Sequence, residues 1–104
     1  MNAQKKRGWL TLCLVLLLAL SVAFAGCTKE QKMARHWKKG EQYFTENKLK
    51  EAILEYRNVI QIDPSHAKAR YKLGLAYLRM GMLREAYGEI VKTVEIDPKM
   101  LEAR

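Results

Sequence analysis

Leu49-Lys50-Glu51-Ala52 returns 34 residues later as Leu83-Arg84-Glu85-Ala86, and Ile62-Asp63-Pro64 returns at the same interval as Ile96-Asp97-Pro98. Gly40 and Gly74, and Tyr43 and Tyr77, keep that register without a gap. A fixed period of this length marks stacked supersecondary units, none of which can bury its apolar face alone. Inside the period, apolar residues fall at helical spacing: Leu73, Ala76, Tyr77 and Met80 in one stretch, Ala86, Ile90 and Val94 in the next. The fold expected is therefore all-α, with helices over 29–46, 48–62, 65–80 and 82–96.

Each repeated residue has a physical task. Gly40 and Gly74 fall within the first helix of their units, where a glycine costs about 1 kcal/mol of helix propensity. It is tolerated where two helices approach too closely for a Cβ, and Ala52 and Ala86 are expected to face it from the partner helix. Asn47 and Gly81 occupy equivalent places and suit a tight interhelical turn that needs left-handed backbone. Pro64 and Pro98 end the second helix of each unit. The stretch 63–70 is echoed by 97–104, so a third unit is started. Three or more units are the usual requirement for stability. Part of the outer face of the fourth helix, Tyr87, Ile90 and Val94, is thus expected to be uncovered. Two expectations follow: the chain is the N-terminal piece of a longer solenoid, or it self-associates through that face.

Gly, Tyr, Ala and a closing Pro at this period resemble the tetratricopeptide repeat. The resemblance implies a helix-turn-helix solenoid, with unit one over 33–66, unit two over 67–100 and the start of a third over 101–104.

The N-terminus carries a different signal. Lys5, Lys6 and Arg7 precede an almost purely Leu, Val and Ala run at 10–20, and Phe24-Ala25-Gly26-Cys27 closes the segment. This is the layout of an export signal. It resembles the lipobox of bacterial lipoproteins, with Phe24 in place of the usual Leu. The resemblance implies removal of residues 1–26, a diacylglycerol thioether on Cys27 and a short tether over 27–32. It places the rest of the chain outside the cytoplasm, and two or more acyl chains make a stable anchor. The alternative is an uncleaved anchor over 9–25, at the lower limit of a spanning length. Cys13 is then an apolar filler of the discarded segment, and no mature disulfide or zinc site is expected. Thr28 resembles the outer-membrane-directed case of lipoprotein sorting, which implies the periplasmic face of the outer membrane in a Gram-negative host.

Cleavage would leave 78 of the 104 residues, enough for one thin domain. It would leave 16 of the 19 cations against 11 acids, because the removed segment holds three cations and no acid. Lys29, Lys32, Arg35, Lys38 and Lys39 crowd near the tether. Such a run reads first as a solvated helix face and second as attraction to anionic headgroups. No nucleic-acid motif is present, and no nucleic-acid partner is expected.

The stretches 51–64 and 69–78 resemble more narrowly the start of the long tetratricopeptide lipoprotein of exosortase-dependent (PEP-CTERM) protein-sorting systems. This implies a membrane-anchored scaffold in the cell envelope, in exopolysaccharide-linked protein sorting. Pilus and outer-membrane assembly use lipoproteins of the same build and stay open as alternatives.

Such arrays bind partners in a groove lined by the first helix of each unit. The family pattern assigns to it Trp37, Glu41, Phe44 and Thr45 from unit one, and Tyr71, Leu75, Leu78 and Arg79 from unit two. An aromatic and apolar groove suits a protein or peptide partner with hydrophobic side chains. The other reading is that these side chains pack the interior or a further unit, leaving a spacer without a groove ligand. The carboxylate clamp of some tetratricopeptide domains needs Lys and Asn where this chain has Trp37 and Glu41. His36 and Lys39 stand where apolar residues are common, so the first helix is expected to be more exposed. His66 is expected to be an exposed residue at a helix start. His36 and His66 are the only histidines and fall in different units. Neither a triad, a metal-spaced cluster nor a phosphate loop is legible, so no enzyme, cofactor or metal is expected. Cys27→Ala should release the protein from membranes or leave an unprocessed precursor. Identical detergent partitioning and identical mass for the two proteins would rule the lipid anchor out.

Overall fold

The computed structural model describes the backbone of residues 2–102 and the side chains of 5–20 and 28–101. The described residues form five helices: α1 (Asn2–Thr45), α2 (Leu49–Ile62), α3 (Ala67–Arg79), α4 (Leu83–Ile96) and the short α5 (Lys99–Glu102). The later boundaries follow the repeat. The first does not: α1 begins at Asn2 rather than near residue 29. No proline precedes Pro64, and the Leu- and Ala-rich run at 10–20 favours helix.

The chain divides into two compact units, Met1–Gln31 and Lys32–Arg104. In the first, the side chains from Lys5 to Leu20 are all exposed, including Trp9, Leu10, Leu14 and Leu17. The Thr11 hydroxyl donates back to the Arg7 and Gly8 carbonyls of its own helix. Among the described residues no helix is long and apolar enough to cross a membrane. Phe24, Ala25, Gly26 and Cys27, which carry the lipidation expectation, lie outside the described side chains.

The second unit is built from two turns of the repeat. Asn47 (φ 60°) and Gly81 (φ 75°) take the left-handed conformation, as their shared place in the period predicts. Lys48 N–H then donates to the Tyr43 carbonyl and Met82 N–H to that of Tyr77, closing α1 and α3 in the same way. Asp63 and Asp97 each send their backbone N–H to the preceding helix, and each side chain accepts from the backbone N–H two residues on, across the proline.

Ala52, Tyr56, Val59, Ala69 and Ala76 are fully shielded from solvent, and Phe44, Leu73 and Ala86 nearly so. Thr93 is fully buried at the place of Val59. Its hydroxyl donates to the Glu89 carbonyl, so the swap buries no orphan polar group.

Gly40 and Gly74 do mark close approaches, but their principal partners are not Ala52 and Ala86. A Cβ on Gly40 would lie 2.8 Å from the Tyr56 ring, and one on Gly74 would lie 2.9 Å from the tip of Ile90, the counterpart of Tyr56. The Tyr56 ring is rigid and buried; at Gly74 the Ile90 Cδ1 can turn away, but Ile90 Cγ1 at 3.1 Å and the Ala86 carbonyl at 3.4 Å give less easily. Gly40→Ala should therefore destabilise the fold by about 1–2 kcal/mol, overpacking outweighing the gain in helix propensity. Gly74→Ala should cost less, because part of its clash is with the movable Ile90 tip. Urea melts of the two variants check the order, and equal midpoints would contradict it.

Candidate functional site

The second half of α1 is fixed to α2 by one aromatic side chain. The buried Tyr56 ring lies against Gly40, 5.7 Å from the Trp37 ring and 6.4 Å from that of Phe44. Its hydroxyl donates to Glu41 Oε1 at 2.5 Å. Glu41 Oε2 in turn lies 3.7 Å from Lys72 Nζ on α3. Tyr56 thereby orients Glu41, and Glu41 draws Lys72 toward the α1 side.

A second tie repeats with the period. His36 Nδ1 donates to Glu55 at 2.6 Å, and Arg70 donates to Glu89 at 2.9 Å, each pair 19 residues apart. In each unit a cation-capable residue early in the first helix meets an acid on the second. His36 is consequently half-buried, not a mark of an exposed first helix, although Lys39 is exposed as expected. His66 stands at a helix start, as expected, but is half-buried rather than exposed. Its ring lies 5.3 Å from that of Trp37, tilted by 34°, and its Nδ1 accepts from Ala69 N–H as the N-cap of α3.

These contacts shape a cleft of about 250 Å³ lined by Trp37, Glu41, Lys68, Tyr71, Lys72 and Met100. It draws on α1, α3 and α5, the first-helix side of the repeats. The candidate residues read from sequence divide between four places. Trp37, Glu41 and Tyr71 meet in the cleft, with Tyr71 largely buried. Phe44 is buried beside it, with the Arg79 guanidinium 4.2 Å and the Lys72 ammonium 4.8 Å from its ring centre. Leu75 and Leu78 instead line a separate apolar hollow with Leu83, Tyr87 and Ile90. Thr45 is exposed and donates to the Glu41 carbonyl of its own helix.

Lys68, Lys72 and Met100 escaped the sequence reading. Lys68 and Lys72 are spaced four apart and flank Tyr71, which is the one signal that could have revealed them. With Arg79 they make the first-helix side positive, opposed at the cleft by Glu41 alone. The five cations at 29–39 are exposed. Among the described residues no group of His, Cys, Asp or Glu could hold a metal ion.

Repeated helix pairs, glycine at the close approach, left-handed turns and a closing proline define a helix-turn-helix repeat solenoid. Residues 40–81 match a TPR repeat model and residues 67–100 a tetratricopeptide repeat model. Residues 40–100 of this chain are tetratricopeptide repeats, a protein-interaction scaffold. Among solved structures, the TPR2B domain of yeast Sti1, determined as a pHsp70 complex, is similar over 70% of this chain with a TM-score of 0.67 and 25% identity. This chain spans 58% of that one. No curated protein matches.

Burial, then the hydrogen bond to Glu41 and its negative charge, pushes the Tyr56 phenol well above its ordinary 10. The neutral form is the one folded, so this stabilisation is complete below about pH 10 and is lost as the pH rises further. Tyr77 is raised in the same direction, chiefly by burial. Tyr56→Phe should lower stability at neutral pH by about 1 kcal/mol and flatten the alkaline decline. Denaturant melts at neutral and alkaline pH check this, and an unchanged alkaline slope would contradict it.

Proposed function

We propose that this chain is a membrane-tethered adaptor whose first-helix cleft holds an extended segment of a protein partner. The observation that carries the reading is the cleft itself. It places Trp37 and Tyr71, 34 residues apart, beside Lys68 and Lys72 in one depression. Such a lining suits a segment with a bulky apolar residue next to an acidic one: the Trp37 face, backed by the buried Tyr71, takes the first and the ammonium groups the second. The Sti1 domain, a complex with pHsp70, supports the peptide-binding half of this reading. The arrangement of charge and aromatics here does not follow the carboxylate clamp, so the partner's acid is an internal side chain rather than a chain end.

The tether rests on the sequence 24–27 and the basic run before it. Lipidation at Cys27, the outer-membrane periplasmic face and a part in exosortase-linked protein sorting are the finer parts of the proposal, supported by the lipobox and by the stretches 51–64 and 69–78.

One observation favours a second role as an assembly part. Phe44 is 9% exposed but its counterpart Leu78 is 54% exposed, and Leu83 and Tyr87 are 65% and 74% exposed. Their counterparts Leu49 and Ile53 are packed against the core cluster. The same apolar face is thus covered in the first repeat and open in the second, and self-association through α4 would cover it.

A peptide library presented to the full chain should enrich apolar residues next to Asp or Glu. Lys68→Glu, a change at an exposed position, should weaken the selected peptides about tenfold with an unchanged melt, the size expected for one charge-assisted contact. Selection without acidic preference, or equal binding by Lys68→Glu, would contradict the groove assignment. For the second role, Tyr87→Glu should convert a concentration-dependent oligomer to monomer in sedimentation. A wild-type chain that is monomeric at all concentrations excludes it.

A further inference from the structure

On the other side of the repeats, α2, α3 and α4 border a second, open cleft of about 430 Å³. Arg57 reaches it from α2, Arg70 from α3 and Lys92 from α4, and Glu89 is the one acid in its lining. Leu73, Ile60 and the half-buried Tyr77 supply the less polar wall. Three cations against one carboxylate leave a formal excess of two positive charges in one concavity, and a concave wall concentrates that field.

The fold does not require this excess. Glu89 is already bound by Arg70 at 2.9 Å, and Arg70 also donates to the Pro64 carbonyl. The first repeat achieves the same tie with a single partner, His36 on Glu55. Lys92, 3.9 Å from Glu89, stands where the first repeat has the neutral Asn58. Arg57 is exposed, and its charge bears on Tyr77 rather than on a paired acid. Two cations beyond the structural need, converging from different helices, suit an anion of matching charge. Arginine forks are shaped for phosphate oxygens, and lysine adds a point charge.

We propose that this outer cleft seats a dianionic phosphate group, free or carried by a small organic molecule, bound chiefly by Arg57 and Lys92 against the wall set by Arg70. The pair Arg70–Glu89 is the positioning element, held by its own bonds. The ring of Tyr77 and the side chain of Ile60, both half-buried, give an organic substituent an apolar surface. Burial pushes the Tyr77 phenol up, so its hydroxyl stays protonated as a donor at neutral pH.

The test is calorimetric titration of the full chain, in a non-ionic detergent and a phosphate-free buffer, with inorganic phosphate and with phenyl phosphate. Saturable, salt-sensitive binding is expected. Arg57→Gln should weaken it about tenfold, the size of one lost charge-assisted bond. Lys92→Gln should weaken it in the same direction, while Lys68→Gln on the opposite face should leave it unchanged. Both Arg57 and Lys92 are exposed, so unchanged melts are expected for their variants. Tighter binding of phenyl phosphate assigns an organic phosphate, and equal binding assigns the free ion. No saturable binding at millimolar concentration, or wild-type affinity in both Arg57→Gln and Lys92→Gln, overturns the proposal.

Discussion

The second unit depends on the placement of Tyr56. Its ring fills the space that the missing Cβ of Gly40 leaves open, and its hydroxyl ends on Glu41. A buried aromatic of this size makes a large apolar contribution, but only when its polar end is satisfied. Glu41 satisfies it and is itself balanced by Lys72 from the next repeat. One residue on α2 therefore fixes how α1 meets α2 and helps to set how α3 meets α1. Trp37, in contact with both Tyr56 and His66, is held at the mouth of the first-helix cleft by the same packing.

The two repeats solve one geometric problem with different chemistry. Ile90 takes the place of Tyr56, Leu75 that of Glu41, Leu78 that of Phe44 and Arg70 that of His36. The first repeat thus anchors its helices with an aromatic and a polar relay, the second with aliphatic packing and a permanent ion pair. Because the relay lies in the first repeat, the cleft takes most of its aromatic surface from α1. Because the open apolar face lies on the second, α4 presents Leu83 and Tyr87 to its surroundings. The first-helix cleft and the open apolar face are therefore distinct surfaces of the same short array.

Much of this is legible in the sequence. The period of 34 gives the helix pairs, the left-handed Asn47 and Gly81, the prolines and the close approaches at Gly40 and Gly74. Periodicity shows that a glycine faces a neighbour, not which neighbour reaches it, so Ala52 was expected where Tyr56 stands. The ties His36–Glu55 and Arg70–Glu89 recur in register and were readable from the repeat, yet a histidine at an apolar place suggests exposure first. The aromatic half of the cleft follows from the equivalence of Trp37 and Tyr71. Its cationic half does not, because Lys68 and Lys72 read as ordinary solvated helix residues until α1 is folded beside them. The outer cleft is the least legible of all, since it gathers Arg57, Arg70 and Lys92 from three helices without a shared spacing.

The most direct measurement is a backbone and side-chain chemical-shift map of the isotopically labelled chain titrated with a peptide carrying adjacent aromatic and acidic residues. Perturbations are expected to concentrate at Trp37, Lys68, Tyr71 and Lys72 and to saturate together. Perturbations confined to α4 around Tyr87, or none at saturating peptide, would contradict the placement of the binding site on the first-helix side.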